Sequence, residues 1–196
     1  MPAHQGPQPG IKAASSAEPV LFKANNFFEI FSIPATYQVD FAELGSSYRQ
    51  LQAQVHPDRF AGGTDQEKLQ AIQATSLLNE AYTTLKSPQK RAAYLLSLAG
   101  IDVEQVDQAD LSPALLMEQI ELREQLEELP RDEAALDQLE QLRTGITARR
   151  EASQQQFATA LEAGQLSQAK KSYYELQYFA KLAMEIDSLE EDLLGY

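Results

Sequence analysis

Few residues in this 196-residue sequence have the types and spacing that chemistry needs. There is no cysteine, which excludes a disulfide framework, a thiol nucleophile, a zinc finger and a thiolate-held cluster. The only histidines are His4 and His56, so a metal site would rest almost wholly on carboxylates, and no Glu-x-x-His stands ready for a di-iron bundle. Ala61-Gly62-Gly63-Thr64 lacks the spacing and the lysine of a phosphate-binding Walker loop. What remains is His56-Pro57-Asp58-Arg59, with an imidazole, a turn-fixing proline, a carboxylate and a guanidinium in succession. A Ser/His/Asp set would have to draw on His56, which the adjoining Pro57 and Asp58 already explain. The expectation is a turn-rich loop in a chain with no catalytic residue, metal or cofactor. An ordinary turn, with His56 and Asp58 capping neighbouring amides, stays open on these residues alone.

The elements that position this loop are helices. Phe41, Leu44, Tyr48, Leu51 and Val55 recur at three and four residues and stop just before His56. Ala74, Leu78, Ala81 and Leu85 form a second stripe that could face the first, giving a helical hairpin with residues 56–63 as its turn. Asp40 with Glu43, and Thr64 with Glu67, have capping-box spacing. Ser87-Pro88 and Ser112-Pro113 put an N-cap before a proline, whose missing N–H costs nothing at the first helical position. A short helix over about 26–33 and another over 88–98 complete a small N-terminal unit.

The second half reads as three longer helices. Their stripes are Leu115, Gln119, Leu122, Leu126 and Leu129; then Leu139, Leu142, Ile146 and Phe157; then Leu166, Ala169, Tyr173, Leu176, Ala180 and Ala183. Pro130, with Asp132 as a cap, and Gly164 make short connections between antiparallel neighbours. No stretch shows strand-like alternation. The expected architecture is all-α: a disordered tail over 1–25, a helical unit over 26–99, a linker over 100–111 and a three-helix bundle over 112–196.

Charge separates the halves. Residues 1–99 carry eight Lys/Arg against eight Asp/Glu, and residues 100–196 carry eight against 21, so the whole net charge of −13 falls in the second half. Such an acidic surface argues against nucleic acid, which is held through Lys and Arg, and fits a basic partner, with a solvated acidic face as the alternative for most of these residues. No apolar run approaches the ~20 residues needed to cross a bilayer. The first 25 residues hold Pro2, Pro7, Pro9 and Pro19, without the apolar stretch of a secretory signal or the arginines of a mitochondrial presequence. A cytoplasmic protein is expected.

The loop between two amphipathic helices, with Asn79, Ala81, Tyr82 and Leu85 on the second and Pro88, Arg91 and Tyr94 after it, resembles the J-domain over about 26–98. The resemblance implies a loop that docks on the nucleotide domain of a DnaK-type chaperone and speeds its ATP hydrolysis. Pro57 would fix the turn. Asp58 would offer an acceptor able to pair bidentately with an arginine of the ATPase. His56 would orient the loop and Arg59 would add a cation. The helix over 41–55 departs from general J-domains, since Arg49 is its one cation. Long-range steering should be modest and the partner a dedicated one.

Beyond residue 25 the chain resembles the HscB family of iron–sulfur co-chaperones, on the strings Leu116-Met117-Glu118-Gln119-Ile120-Glu121-Leu122-Arg123-Glu124 and Tyr94-Leu95-Leu96-Ser97-Leu98. That family implies the ATPase HscA as one partner and the scaffold protein IscU as the client of the bundle. Helical geometry adds a reason. With Leu115, Leu122 and Leu126 facing the core, Leu116, Met117 and Ile120 point elsewhere, beside Glu121 and Glu124. Apolar residues rimmed by acids fit a partner surface, and methionine adapts its shape. Tyr174 and Tyr178, one turn apart on the last helix, would join it; Tyr178 falls where the family's client site is aromatic, in place of the expected phenylalanine. The alternatives are that these side chains pack between helices, or that the bundle serves oligomerisation or another client.

Overall fold

The computed structural model describes residues 20–104, 113–130 and 132–194, and every regular element among them is helical. The helices are α1 (Phe27–Ile30), α2 (Phe41–Val55), α3 (Asp65–Lys86), α4 (Pro88–Leu98), α5 (Pro113–Glu127), α6 (Leu136–Glu162) and α7 (Leu166–Leu194). Local chemistry sets their ends. The Asp40 carboxylate accepts from the amides of Ala42 at 2.8 Å and Glu43 at 3.1 Å. The reciprocal capping box is complete at Thr64–Glu67, where Glu67 also accepts from the Thr64 amide at 2.7 Å. Ser87 caps α4 with Pro88 at its first position. Gly100 (φ +79°) and Gly164 (φ +69°) take the left-handed conformation just beyond α4 and α6. This lets Ile101 and Gln165 return their amides to Leu96 and Ala160, at 2.9 and 2.8 Å. The cap expected from Ser112 lies outside the described residues.

Two expected irregular stretches are shorter than the sequence suggested. Val20–Lys23 forms a 3₁₀ turn whose Leu21 is buried in the core, so residues 20–25 are not a disordered tail. Ile101 and Val103, expected in the linker, pack partly buried on the same core. Residues 1–19 and 105–112 lie outside the described residues. The first helix is also shorter than expected, Phe27–Ile30 with Asn26 as its N-cap.

In the first four helices, α2 and α3 form the hairpin. Tyr48 of α2 stacks on Tyr82 of α3 with centroids 4.1 Å apart, and its hydroxyl donates to Asn79 Oδ1 at 2.8 Å. Buried Gly45 lies within reach of the Tyr82 hydroxyl at this crossing. Phe27 stacks on Tyr94 of α4 at 4.4 Å, and its amide donates to the Tyr94 hydroxyl at 2.9 Å, which closes α1 onto α4.

The second half is the expected bundle of α5, α6 and α7, and it is joined to the first four helices. Helices α6 and α7 form one long antiparallel hairpin that serves two cores. At the end near Gly164, Phe157, Ala158, Ala160, Ala169, Tyr173, Tyr174 and Leu176 merge with the core of the first four helices, and α4 packs on α7. At the other end Leu139, Ile146, Phe179, Leu182 and Ile186 pack with Leu115 and Leu129, from α5 and the turn after it. Phe157, read from the sequence as part of the bundle stripe, is wholly buried in the other core. Burial of a side chain of this size contributes about 1.5–3 kcal/mol. The two halves therefore share apolar surface and are held at one angle.

Candidate functional site

The loop after α2 is built from backbone needs. Helix α2 ends at Val55, leaving carbonyls without intrahelical partners. Arg59 Nη1 donates to the Ala53 carbonyl at 3.0 Å, and Thr75 Oγ1 of α3 donates to that of Val55 at 3.2 Å. A cation at a helix C-terminus also complements the helix dipole. The Arg59 guanidinium thus ties the loop to α2 as well as standing beside it. Pro57 opens a 3₁₀ turn, Pro57–Phe60, and His56 Nδ1 accepts from the Asp58 amide at 3.3 Å. Both readings of the loop therefore meet in His56: it caps an amide, and it also sets where Asp58 stands. The Asp58 carboxylate is 92% exposed, 3.7 Å from His56 Nδ1, with its acceptor oxygens directed to solvent. Arg49 is exposed on α2 and lies back over Gly45.

On α5 the structure separates one expected set into two. Leu116, Met117 and Ile120 are exposed, Met117 at 63%, and Glu121 and Glu124 are exposed beside them. Tyr178 is half-buried at the foot of this face, its hydroxyl donating to the Gln119 carbonyl at 3.1 Å. Burial raises the Tyr178 pKa; Arg123 opposes the rise and Glu185 and Glu118 add to it, so the phenol stays protonated and donating. Tyr174 does not belong here. It is buried where α7 meets the first four helices, and its hydroxyl donates to the Val103 carbonyl at 3.4 Å. One helical turn separates the two tyrosines along the chain, but the long α7 hands them to different cores.

Reading the sequence did not find what anchors α5. Glu118 binds Arg149 of α6 through two bonds, at 2.7 and 2.5 Å, and Arg123 pairs with Glu185 of α7 at 3.2 Å. Helix α5 also packs on the second core through Leu115, Leu122 and Leu126. A groove of about 680 Å³ runs beside it over Leu122, Leu129, Leu142 and Ile146. The signal for these pairs was only a surplus of charge, which does not state its partners. No cluster of metal-ligating side chains occurs among the described residues. No helix among them is long and apolar enough to cross a membrane.

Comparisons with known proteins match the chain in two stretches. A family described as the DnaJ domain matches residues 26–94, and one described as the HSCB C-terminal oligomerisation domain matches residues 111–187. The chain is similar to the co-chaperone protein HscB homolog of Vibrio cholerae, 39% identical over 178 residues that cover 87% of this chain and 99% of that one. Its counterpart in Aliivibrio fischeri is 36% identical over 170 residues, with the same coverage of 87% and 99%. Among solved structures, the chaperone HscB from Vibrio cholerae superposes with a TM-score of 0.77 at 36% identity, covering 86% of this chain and 99% of that one. The human co-chaperone HscB gives 0.78 at 28% identity, covering 85% and 83%.

Proposed function

Because this chain belongs to the HscB family of J-domain co-chaperones, we propose that it stimulates the ATPase of a DnaK-type chaperone, HscA, and delivers to it the iron–sulfur scaffold protein IscU. It is read as a cytoplasmic protein with no chemistry of its own. The observation that carries the reading is the exposed Asp58 carboxylate, held on a turn that His56, Pro57 and Arg59 fix from within. A carboxylate presented this way can accept a bidentate pair from an arginine of the ATPase without first being ordered, and the entropy of ordering a loop is not lost on binding. His56, Pro57, Asp58, Arg59 and Arg49 form the ATPase-facing set. Leu116, Met117, Ile120, Glu121, Glu124 and Tyr178 form the client-facing set, and the shared core keeps the two at a constant separation.

A direct test measures binding of the IscU-type scaffold to the full chain by calorimetry, with the Leu116→Ala/Met117→Ala variant beside it. Binding that the variant loses supports the client assignment; equal binding removes α5 from it. A second reading gives the bundle to self-association, which the description of the matched C-terminal family favours. Sedimentation of the free chain distinguishes it, since a stable oligomer that dissociates in the same α5 variant would assign the face to a second copy.

A further inference from the structure

Helix α3 buries small side chains and exposes large ones near its start. Ala71 and Ala74 point into the core, whereas Leu69 and Ile72 are exposed at 55% and 57%. Folding alone favours the reverse, because Leu and Ile gain more from burial than Ala. The two lie three residues apart, one turn along the same outer side of the helix. The strip begins beside the loop. Thr75, one turn beyond Ile72, bonds the Val55 carbonyl at the end of α2, and the Pro57–Phe60 turn packs against α3. Asp65 and Lys68, paired at 4.0 Å, border the strip on the side of the helix start. The ATPase-facing side of α2, by contrast, offers one cation, Arg49, between residues 41 and 55.

We propose that Leu69 and Ile72 are a second docking point for the DnaK-type chaperone, an apolar contact continuous with the His56–Arg59 loop. It meets an apolar strip on the chaperone beside the site that receives Asp58. The assignment rests on the ATPase reading above and adds to it the source of affinity. Where charge steering is weak, buried apolar area sets the half-maximal concentration, and the loop sets the stimulation reached at saturation. Two consequences follow: the half-maximal concentration changes little with salt, and it rises when the strip is made polar.

The test titrates the full chain into the HscA-type chaperone and follows steady-state ATP hydrolysis, for the unmodified protein, Leu69→Gln/Ile72→Gln and Leu98→Gln. Leu98, exposed at the end of α4, is the control for loss of any exposed apolar side chain. Because both strip residues are exposed, helical circular dichroism should be unchanged. The expected result is a half-maximal concentration raised on the order of tenfold in the double variant, with full stimulation at saturation and Leu98→Gln unaffected. Coinciding curves for the double variant and the unmodified protein overturn the proposal and leave the ATPase reading standing. No stimulation by the unmodified protein overturns both. A dimer in sedimentation that the double variant dissolves, with stimulation unchanged, would also overturn it and assign the strip to a second copy of this chain.

Discussion

The ring of Tyr37 lies 4.9 Å, centroid to centroid, from that of Phe157, joining the segment before α2 to the C-terminal part of α6. The Arg91 guanidinium of α4 sits 4.9 Å from the same Tyr37 ring and 5.3 Å from that of Phe41. Arg91 is buried, and Nη1 donates to the Leu85 carbonyl at 2.6 Å. Burial lowers the Arg91 pKa and raises that of Tyr37, each shift disfavouring the charged form. Arginine remains charged through such a shift, and the ring faces supply the negative potential that a carboxylate would otherwise give. This aromatic and cationic stack lies where the first four helices meet the α6–α7 hairpin.

Replacing Phe157 by Ala should therefore cost about 3–5 kcal/mol of stability. Since its core is shared, thermal unfolding of both wild type and variant should be a single transition with a lower midpoint in the variant. Two separated transitions in the wild type would show that the halves fold independently.

The α5 face and the junction should respond differently to truncation. Leu116→Ala with Met117→Ala should weaken client binding by a few kcal/mol if the pair is a hot spot, while the melting temperature changes little. Tyr174→Ala should do the opposite, lowering stability by about 3 kcal/mol and leaving the α5 contact surface intact. A loss of binding by Tyr174→Ala at full helicity would return that residue to the client face.

Much of this was legible in the sequence where the cause is local. The ends of α2, α4 and α7's start follow from Asp40, Ser87-Pro88 and Gly164, because caps act within one turn. The placement of the loop followed from two stripes that stop on either side of it. What could not be read was which partner each stripe serves. Phe157, Tyr173 and Tyr174 have the spacing of bundle residues, and periodicity records that a side chain is buried, not against what. Over the 29 residues of α7 the buried face also drifts, from Ala169 and Tyr173 to Phe179, Leu182 and Ile186, because the helical repeat is not a whole number of residues. The ion pairs that hold α5 were hidden for the same reason: they join residues 31 and 62 apart in sequence.

Ser32 adopts φ +56° just after α1, where Ile33 returns its amide to the Phe28 carbonyl at 3.1 Å. A non-glycine residue in this left-handed region carries about 1–2 kcal/mol of strain. Ser32→Gly should raise the melting midpoint by an amount worth up to about 1 kcal/mol, the remainder being offset by the greater freedom of glycine in the unfolded chain. A lowered midpoint would mean that the serine side chain contributes more than the strain costs.

The capping box at α3 should leave a signature in acid. The Thr64 amide and hydroxyl hold the Glu67 carboxyl below the usual carboxylate range. A depressed folded-state pKa stabilises the fold above the unfolded value and loses that contribution as pH falls through the folded one. The melting difference between wild type and Glu67→Ala should be full at neutral pH and shrink below the ordinary glutamate range. A difference independent of pH would assign the effect to helix propensity.

The measurement that bears most directly on the central claim is steady-state ATP hydrolysis by the HscA-type chaperone. It would be run with the chain alone, with the IscU-type scaffold added, and with Asp58→Asn in place of the wild type. The account predicts stimulation by the chain, greater than additive stimulation when the scaffold is present, and neither with Asp58→Asn, whose helical circular dichroism should match the wild type. Stimulation retained by a folded Asp58→Asn variant would contradict the account, because it would remove the exposed carboxylate from the mechanism.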